Sequence, residues 1–150
     1  MLEVHTLSPN ETLALGRRFA ALLSAGDLVL LSGRLGSGKT LFVAGLAQGL
    51  GIEERVLSPS FVIVKSYRDG FLPLLHADVY RLGSMAEFDD LELSEGAGNG
   101  VLVVEWGEAV AGSVPEDHLD VRIEIGGETE RTFRFDPHGS WRGRDLSAVA

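Results

Sequence analysis

The stretch LSGRLGSGKTLF, Leu31 to Phe42, restricts what this chain can become more than any other. It contains three glycines, and Lys39 and Thr40 follow the last of them at once. Glycine is unfavourable inside a helix or strand, so such a cluster needs a local reason. The residues before it, DLVLLSG, read as a buried strand, and those after it, LFVAGLAQGLG, as a short apolar helix. Gly33 to Thr40 satisfies G-x-x-x-x-G-K-[ST] in full, in the strand–loop–helix context in which such a loop holds a phosphate chain. Backbone N–H groups of Gly33, Leu35, Gly36, Ser37, Gly38, Lys39, Thr40 and Leu41 are the expected phosphate contacts. The helix start would add about half a positive charge beneath them. Lys39 reaches the β- and γ-phosphates and the Thr40 hydroxyl ligates Mg2+, so ATP and Mg2+ are the expected ligands. The alternative is a glycine-rich turn with a chance Lys-Thr, a pattern expected in on the order of 1% of chains this long.

A Mg2+–nucleotide site needs a second metal anchor, usually an acid at the end of a neighbouring apolar strand. VLVVEW supplies four β-formers, then Glu105. Glu105 is the expected metal ligand or water-positioning group; the alternative is that it only marks where the strand meets solvent. Asp78, in LLHADVYRL, is the second candidate, because an Asp in an apolar strand is costly to bury unless it is paired or near a metal. Asp78 is therefore expected to be catalytic and a further metal ligand. His76 shares its strand face, but one His and one Asp make half a zinc site, and a structural histidine is the plainer reading. In LSPSF, a Ser-Pro turn before a strand would let Ser58 and Ser60 meet a γ-phosphate or attacking water, as a switch segment does. Turn chemistry explains Ser-Pro equally well. For the adenine, which the loop does not read, Asn10, Thr12 and Arg131 are candidates.

The remaining pattern predicts the surroundings. Ser8-Pro9-Asn10-Glu11 opens a helix expected to reach about Ala25, with Leu13, Phe19, Ala20, Leu22 and Leu23 as its apolar stripe and Gly26 ending it. The helix after the loop spans Lys39 to Leu50. Two strands joined at Arg68-Asp69-Gly70 follow, then a capping box at Ser84-Met85-Ala86-Glu87, the apolar strand Val101–Val104, and a hairpin around Gly126-Gly127. Alternating strands and helices first, antiparallel strands later, predict an α/β fold with one mixed sheet. The 150 residues suit a single domain, with a tail from about residue 139 that is either flexible or helical from Arg142 onward. No apolar run approaches the ~20 residues of a membrane span, and the N-terminus does not resemble a signal peptide, so the cytoplasm is expected. There is no cysteine, which removes disulfide frameworks and thiolate catalysis. The net charge of -9 disfavours broad contact with nucleic acid.

GRLGSGKTLF, SPSF, HADVYRL and VVEW, in this order and spacing, resemble the TsaE (YjeE) family of small bacterial P-loop ATPases, over nearly the whole chain. The resemblance implies that Lys39 and Thr40 bind ATP and Mg2+, that Glu105 joins the metal, and that Asp78 is needed for hydrolysis. It also implies docking on the TsaB–TsaD complex, which carries out threonylcarbamoyl transfer to adenosine 37 of tRNAs. ATP hydrolysis would reset that complex between turnovers, and the tRNA would be met only through it. Two positions depart from the family pattern: Arg34 stands where Asp or Asn is usual, and Ser60 where Thr is usual.

Two other classes share the loop. A small-metabolite kinase needs an acceptor pocket and commonly an arginine-bearing lid, whereas GEAVAGSVPEDH, after the apolar strand, is acidic and has no arginine. A non-hydrolytic module would use bound nucleotide only to reshape a docking surface.

Overall fold

The structure is a computed structural model that describes residues 1–57, 64–79, 99–106, 112 and 114–150. Ser58, Ser60 and the capping box at 84–87 lie outside the described residues.

The chain starts with a strand, β1 (Leu2–Thr6), which goes beyond the sequence reading. Helix α1 (Pro9–Ala20) opens as its cap pattern predicts: Ser8 is extended, and its Oγ accepts from Glu11 N at 3.1 Å. It ends at Ala20 and does not reach Ala25. Bonds from Ala21, Leu22 and Leu23 N–H to carbonyls three residues back tighten the chain. The Asp27 carboxylate then accepts from Ser24 N at 2.7 Å, an arrangement that closes a turn in place of another helical one. Strand β2 (Leu28–Gly33) leads into the glycine loop and helix α2 (Lys39–Gly49). Next come the antiparallel pair β3 (Val64–Tyr67) and β4 (Leu74–Asp78), then β5 (Val101–Glu105) and the hairpin strands β6 (His118–Ile125) and β7 (Arg131–His138).

The seven strands of the described residues form one mixed sheet in the order β1-β7-β6-β2-β5-β4-β3. β2 runs parallel to both β5 and β6, and β5 is parallel to β4. The near-continuous apolar runs of β2 and β5 are buried throughout, as central parallel strands require. Among the described residues both α-helices cover the face carrying Val29, Leu31, Val103, Val121 and Phe133. They approach closely: a Cβ on Gly45 would fall 3.0 Å from the Leu13 carbonyl carbon and nearer still to its oxygen. Leu28, Leu30, Leu102 and Val104 form a second cluster on the opposite face.

The tail packs against this core as two 3-10 turns, Gly139–Gly143 and Ser147–Val149, so the helix expected from Arg142 is replaced by an earlier, tighter turn. Trp141 is buried and stacks on Phe19 with ring centres 6.4 Å apart. Arg144 lies over Trp141 and makes two bonds to the buried Asp27 carboxylate, at 2.6 and 3.1 Å. Among the described residues no helix is long and apolar enough to cross a membrane.

Candidate functional site

Parallel strands that end together bring residues distant in sequence to one edge. Leu31 of β2 is the register partner of Glu105 on β5, and Glu105 is in turn the partner of Asp78 on β4. The glycine loop leaves the sheet at that same edge, directly after Gly33. Brought together there are Lys39, Thr40, Glu105 and Asp78, with His76 one pleat behind.

Two of the loop's glycines are needed for a left-handed backbone. Gly36 (φ 81°) and Gly38 (φ 102°) are left-handed, and open space surrounds the position of an added Cβ at both. Their requirement is therefore conformational, since side chains seldom tolerate that region. Gly38 is also the residue before α2, and no side chain caps this helix. The first-turn N–H groups, lacking an intrahelical acceptor, are left for an anion at the loop. Among the described residues Ser37 Oγ is buried with no hydrogen-bond partner, a further polar atom suited to a polar ligand.

Lys39 is buried, and its Nζ donates to the carbonyls of Gly33 (2.7 Å) and Arg34 (3.1 Å) while lying 4.1 Å from the Trp106 ring centre. Trp106 has φ 63°, a strained value for a bulky residue that costs about 1–3 kcal/mol and is typical of functional sites. This turn directly after Glu105 sets the indole beneath the lysine. Trp106 carries no role in the sequence pattern, because nothing local in VLVVEW announces a left-handed residue. Arg34, the departure in the loop, keeps its side chain exposed and contributes its carbonyl, which also accepts from Ser37 N.

The Thr40 hydroxyl donates to Glu105 Oε2 at 3.3 Å. The same oxygen meets His76 Nε2 in a very short contact. Because a carboxylate only accepts, Nε2 donates, while Nδ1 is buried with no partner among the described residues. His76 is fully buried and fixes Glu105, a positioning role more specific than the structural one expected of it. Glu105 and Asp78 are both nearly buried, two carboxylates side by side on adjacent strands. The Thr40 hydroxyl and Glu105, with Asp78 at the neighbouring register position, offer hard oxygen donors, the chemistry that Mg2+ prefers over softer nitrogen or sulfur ligands.

Of the adenine candidates, Arg131 lies on the flank of the loop. Arg131 donates to Ser37 O (3.0 Å) and Gly36 O (3.3 Å), and its remaining bonds go to carbonyls of the β6–β7 turn. It braces the loop against the hairpin. Its register partner Thr6 shares a hydroxyl–hydroxyl bond of 2.8 Å with Thr12, which is buried between β1 and α1. Asn10 is exposed on the first turn of α1. The structure therefore places Arg131 beside the loop and joins Thr12 to it through Thr6 of β1.

Residues 6–133 match the family model for threonylcarbamoyl adenosine biosynthesis protein TsaE. A tRNA threonylcarbamoyladenosine biosynthesis protein TsaE from Bacillus subtilis is 43% identical over 140 residues, covering 93% of this chain and 87% of the relative. One of the same description from Streptomyces coelicolor is 44% identical over 145 residues, covering 91% and 97%. The crystal structure of Bacillus subtilis YdiB superposes with a TM-score of 0.79 at 37% identity, covering 95% of this chain and 89% of that one. Motif, sheet order and extended sequence identity thus agree, and this chain belongs to the TsaE family.

Proposed function

We propose that this protein binds ATP with Mg2+ at the loop Gly33–Thr40, hydrolyses it slowly, and uses the cycle to drive a partner assembly in tRNA threonylcarbamoyladenosine synthesis. The observation that carries this reading is the meeting of the Thr40 hydroxyl with Glu105, beside Asp78, at the strand edge where the phosphate loop begins. Thr40 and Glu105, with Asp78 adjacent, would hold the metal. Bound there, Mg2+ would neutralise charge developing on the phosphate oxygens.

The chain's own groups would do the rest. The N–H groups of the loop and of the start of α2 bind the phosphates. Lys39 exchanges its two carbonyl contacts for phosphate oxygens, a charge-assisted and stronger pairing, while Trp106 keeps the ammonium over the loop. In hydrolysis water attacks the γ-phosphorus, the bond to the ADP oxygen breaks, and a proton is released. Asp78 is assigned to orient that water and to receive its proton. His76 holds Glu105 in place and leaves its second oxygen available.

The partner is proposed to be the TsaB–TsaD complex, met in an ATP-dependent way, with tRNA engaged through it. A net charge of -9 opposes direct binding of a polyanion. Co-elution of the three proteins with ATP, ADP or no nucleotide tests this. Association only with ATP is expected, and equal association in all three conditions refutes the gate. Tight tRNA binding by this chain alone, persisting at high salt, refutes the partner-driven reading.

A further inference from the structure

The sheet face opposite α1 and α2 carries a second ordered constellation, at the far end of β6 and β7 from the phosphate loop. Three register pairs lie in a row along it: His118 with His138, Asp120 with Asp136, and Arg122 with Arg134. Each pair sets like residues directly opposite, an arrangement that is destabilising for charged groups unless something offsets it. The arginine pair has its offset, because Arg134 pairs with Glu3 and Glu124. For the carboxylate pair, the ion pairs among the described residues run only to the two histidines.

Two stacked imidazoles, 4.4 Å apart at 12°, thus sit beside two opposed carboxylates, and a divalent ion bridging these groups would relieve the repulsion between the carboxylates. The donor atoms are oriented for it. His118 Nδ1 donates to Pro115 O at 2.8 Å, which leaves Nε2 facing Asp120, 3.7 Å from Oδ1. This is the bond by which a backbone carbonyl commonly fixes the orientation of a ligating histidine. His138 Nε2 is buried and 2.8 Å from Asp120 Oδ2, yet makes no aligned hydrogen bond. The candidate ligand atoms of His118, Asp120 and His138 lie within 4.8 Å of one another, and Asp136 is 3.5 Å from His138 Nε2. Asp120 and Asp136 also line an open recess of about 270 Å3, shared with Arg122 and Arg134, so the carboxylates are reached from solvent.

We propose that His118, His138 and Asp120, with Asp136 as fourth ligand, form a site for a divalent transition-metal ion of the zinc type. Two imidazoles and two carboxylates suit Zn2+ in tetrahedral coordination and are poor ligands for Mg2+, so this site is chemically distinct from the nucleotide site. Bound metal would clip the open end of the β6–β7 hairpin.

The test is Zn2+ titration of the metal-free full chain in excess Mg2+, against a chromophoric chelator. One tightly bound equivalent is expected. It should weaken by roughly a hundredfold or more in Asp120→Asn and in the double variant His118→Gln/His138→Gln, since even outer-shell losses reach that range. Nucleotide binding should not change. Histidine-ring NMR of the wild-type chain keeps the test decisive should a variant fail to fold: Zn2+ must move the Nε2 signals of His118 and His138. Absence of a tight equivalent, equal affinity in the variants, or shifts confined to His5 and His76 would each overturn the proposal. So would a protonated histidine–aspartate cluster indifferent to Zn2+.

Discussion

Replacing Gly45 with alanine sets two physical effects against each other. Within helix α2, alanine in place of glycine favours the helix by about 1 kcal/mol. Packing opposes it. The new Cβ would fall 3.0 and 3.1 Å from the carbonyl carbon and Cα of Leu13, closer to the oxygen, where ordinary contact begins at 3.4 Å. These are backbone atoms of α1, so no side-chain rotation relieves the clash, and the helices must separate by roughly 1 Å in a core packed to crystal-like density. Overpacking of this kind costs about 3 kcal/mol. The net destabilisation is about 2 kcal/mol, or a fall in Tm of roughly 4–8 °C for a chain of this size. Thermal unfolding followed by circular dichroism measures it, with Gly143→Ala, whose Cβ meets nothing within 4 Å, as the control. A Tm for Gly45→Ala equal to or above wild type would show that propensity outweighs packing and that the helices are not held this closely.

Lys39→Ala should abolish ATP hydrolysis and weaken nucleotide binding with the fold intact, whereas Thr40→Ala should act mainly through the metal; unchanged steady-state ATPase in either contradicts the phosphate-loop assignment. Glu105→Gln and Asp78→Asn should leave ATP affinity largely in place while the turnover rate falls by about a hundredfold or more, because these groups act chiefly in the transition state. Normal hydrolysis by Asp78→Asn would make that residue structural. His76→Phe, which removes the bond to Glu105, should raise the Mg2+ concentration for half-maximal ATPase by roughly 10–100-fold without changing ATP affinity. An unchanged magnesium dependence would leave His76 as simple core.

Much of the site is readable along the chain because its signals are local. The glycine spacing, Lys39-Thr40, the apolar run of β2 and the Ser8 cap each depend on neighbours a few residues away. Glu105 at the end of an apolar strand has the same character. Overreach came where a distant group intervenes: α1 stops short because Asp27, tied to Arg144 of the tail, turns the chain. The tail itself follows Trp141 into the aromatic core.

Tertiary structure alone decided which strands lie side by side. Placing β5 next to β2, and β4 next to β5, is what brings Asp78, Glu105 and Thr40 to one edge, and no periodicity within a strand records its neighbour. The bond from His76 to Glu105, the bracing of the loop by Arg131, and the left-handed turn at Trp106 depend on that order. The like pairs along β6 and β7 depend on a register set by the hairpin between them. Gly45 is the plainest case. Read locally, it only weakens a helix; against Leu13 of α1, it is what lets the two helices meet. Propensity and motif act over a few residues, while strand order, register and close approach are properties of surfaces that exist only once the chain has folded.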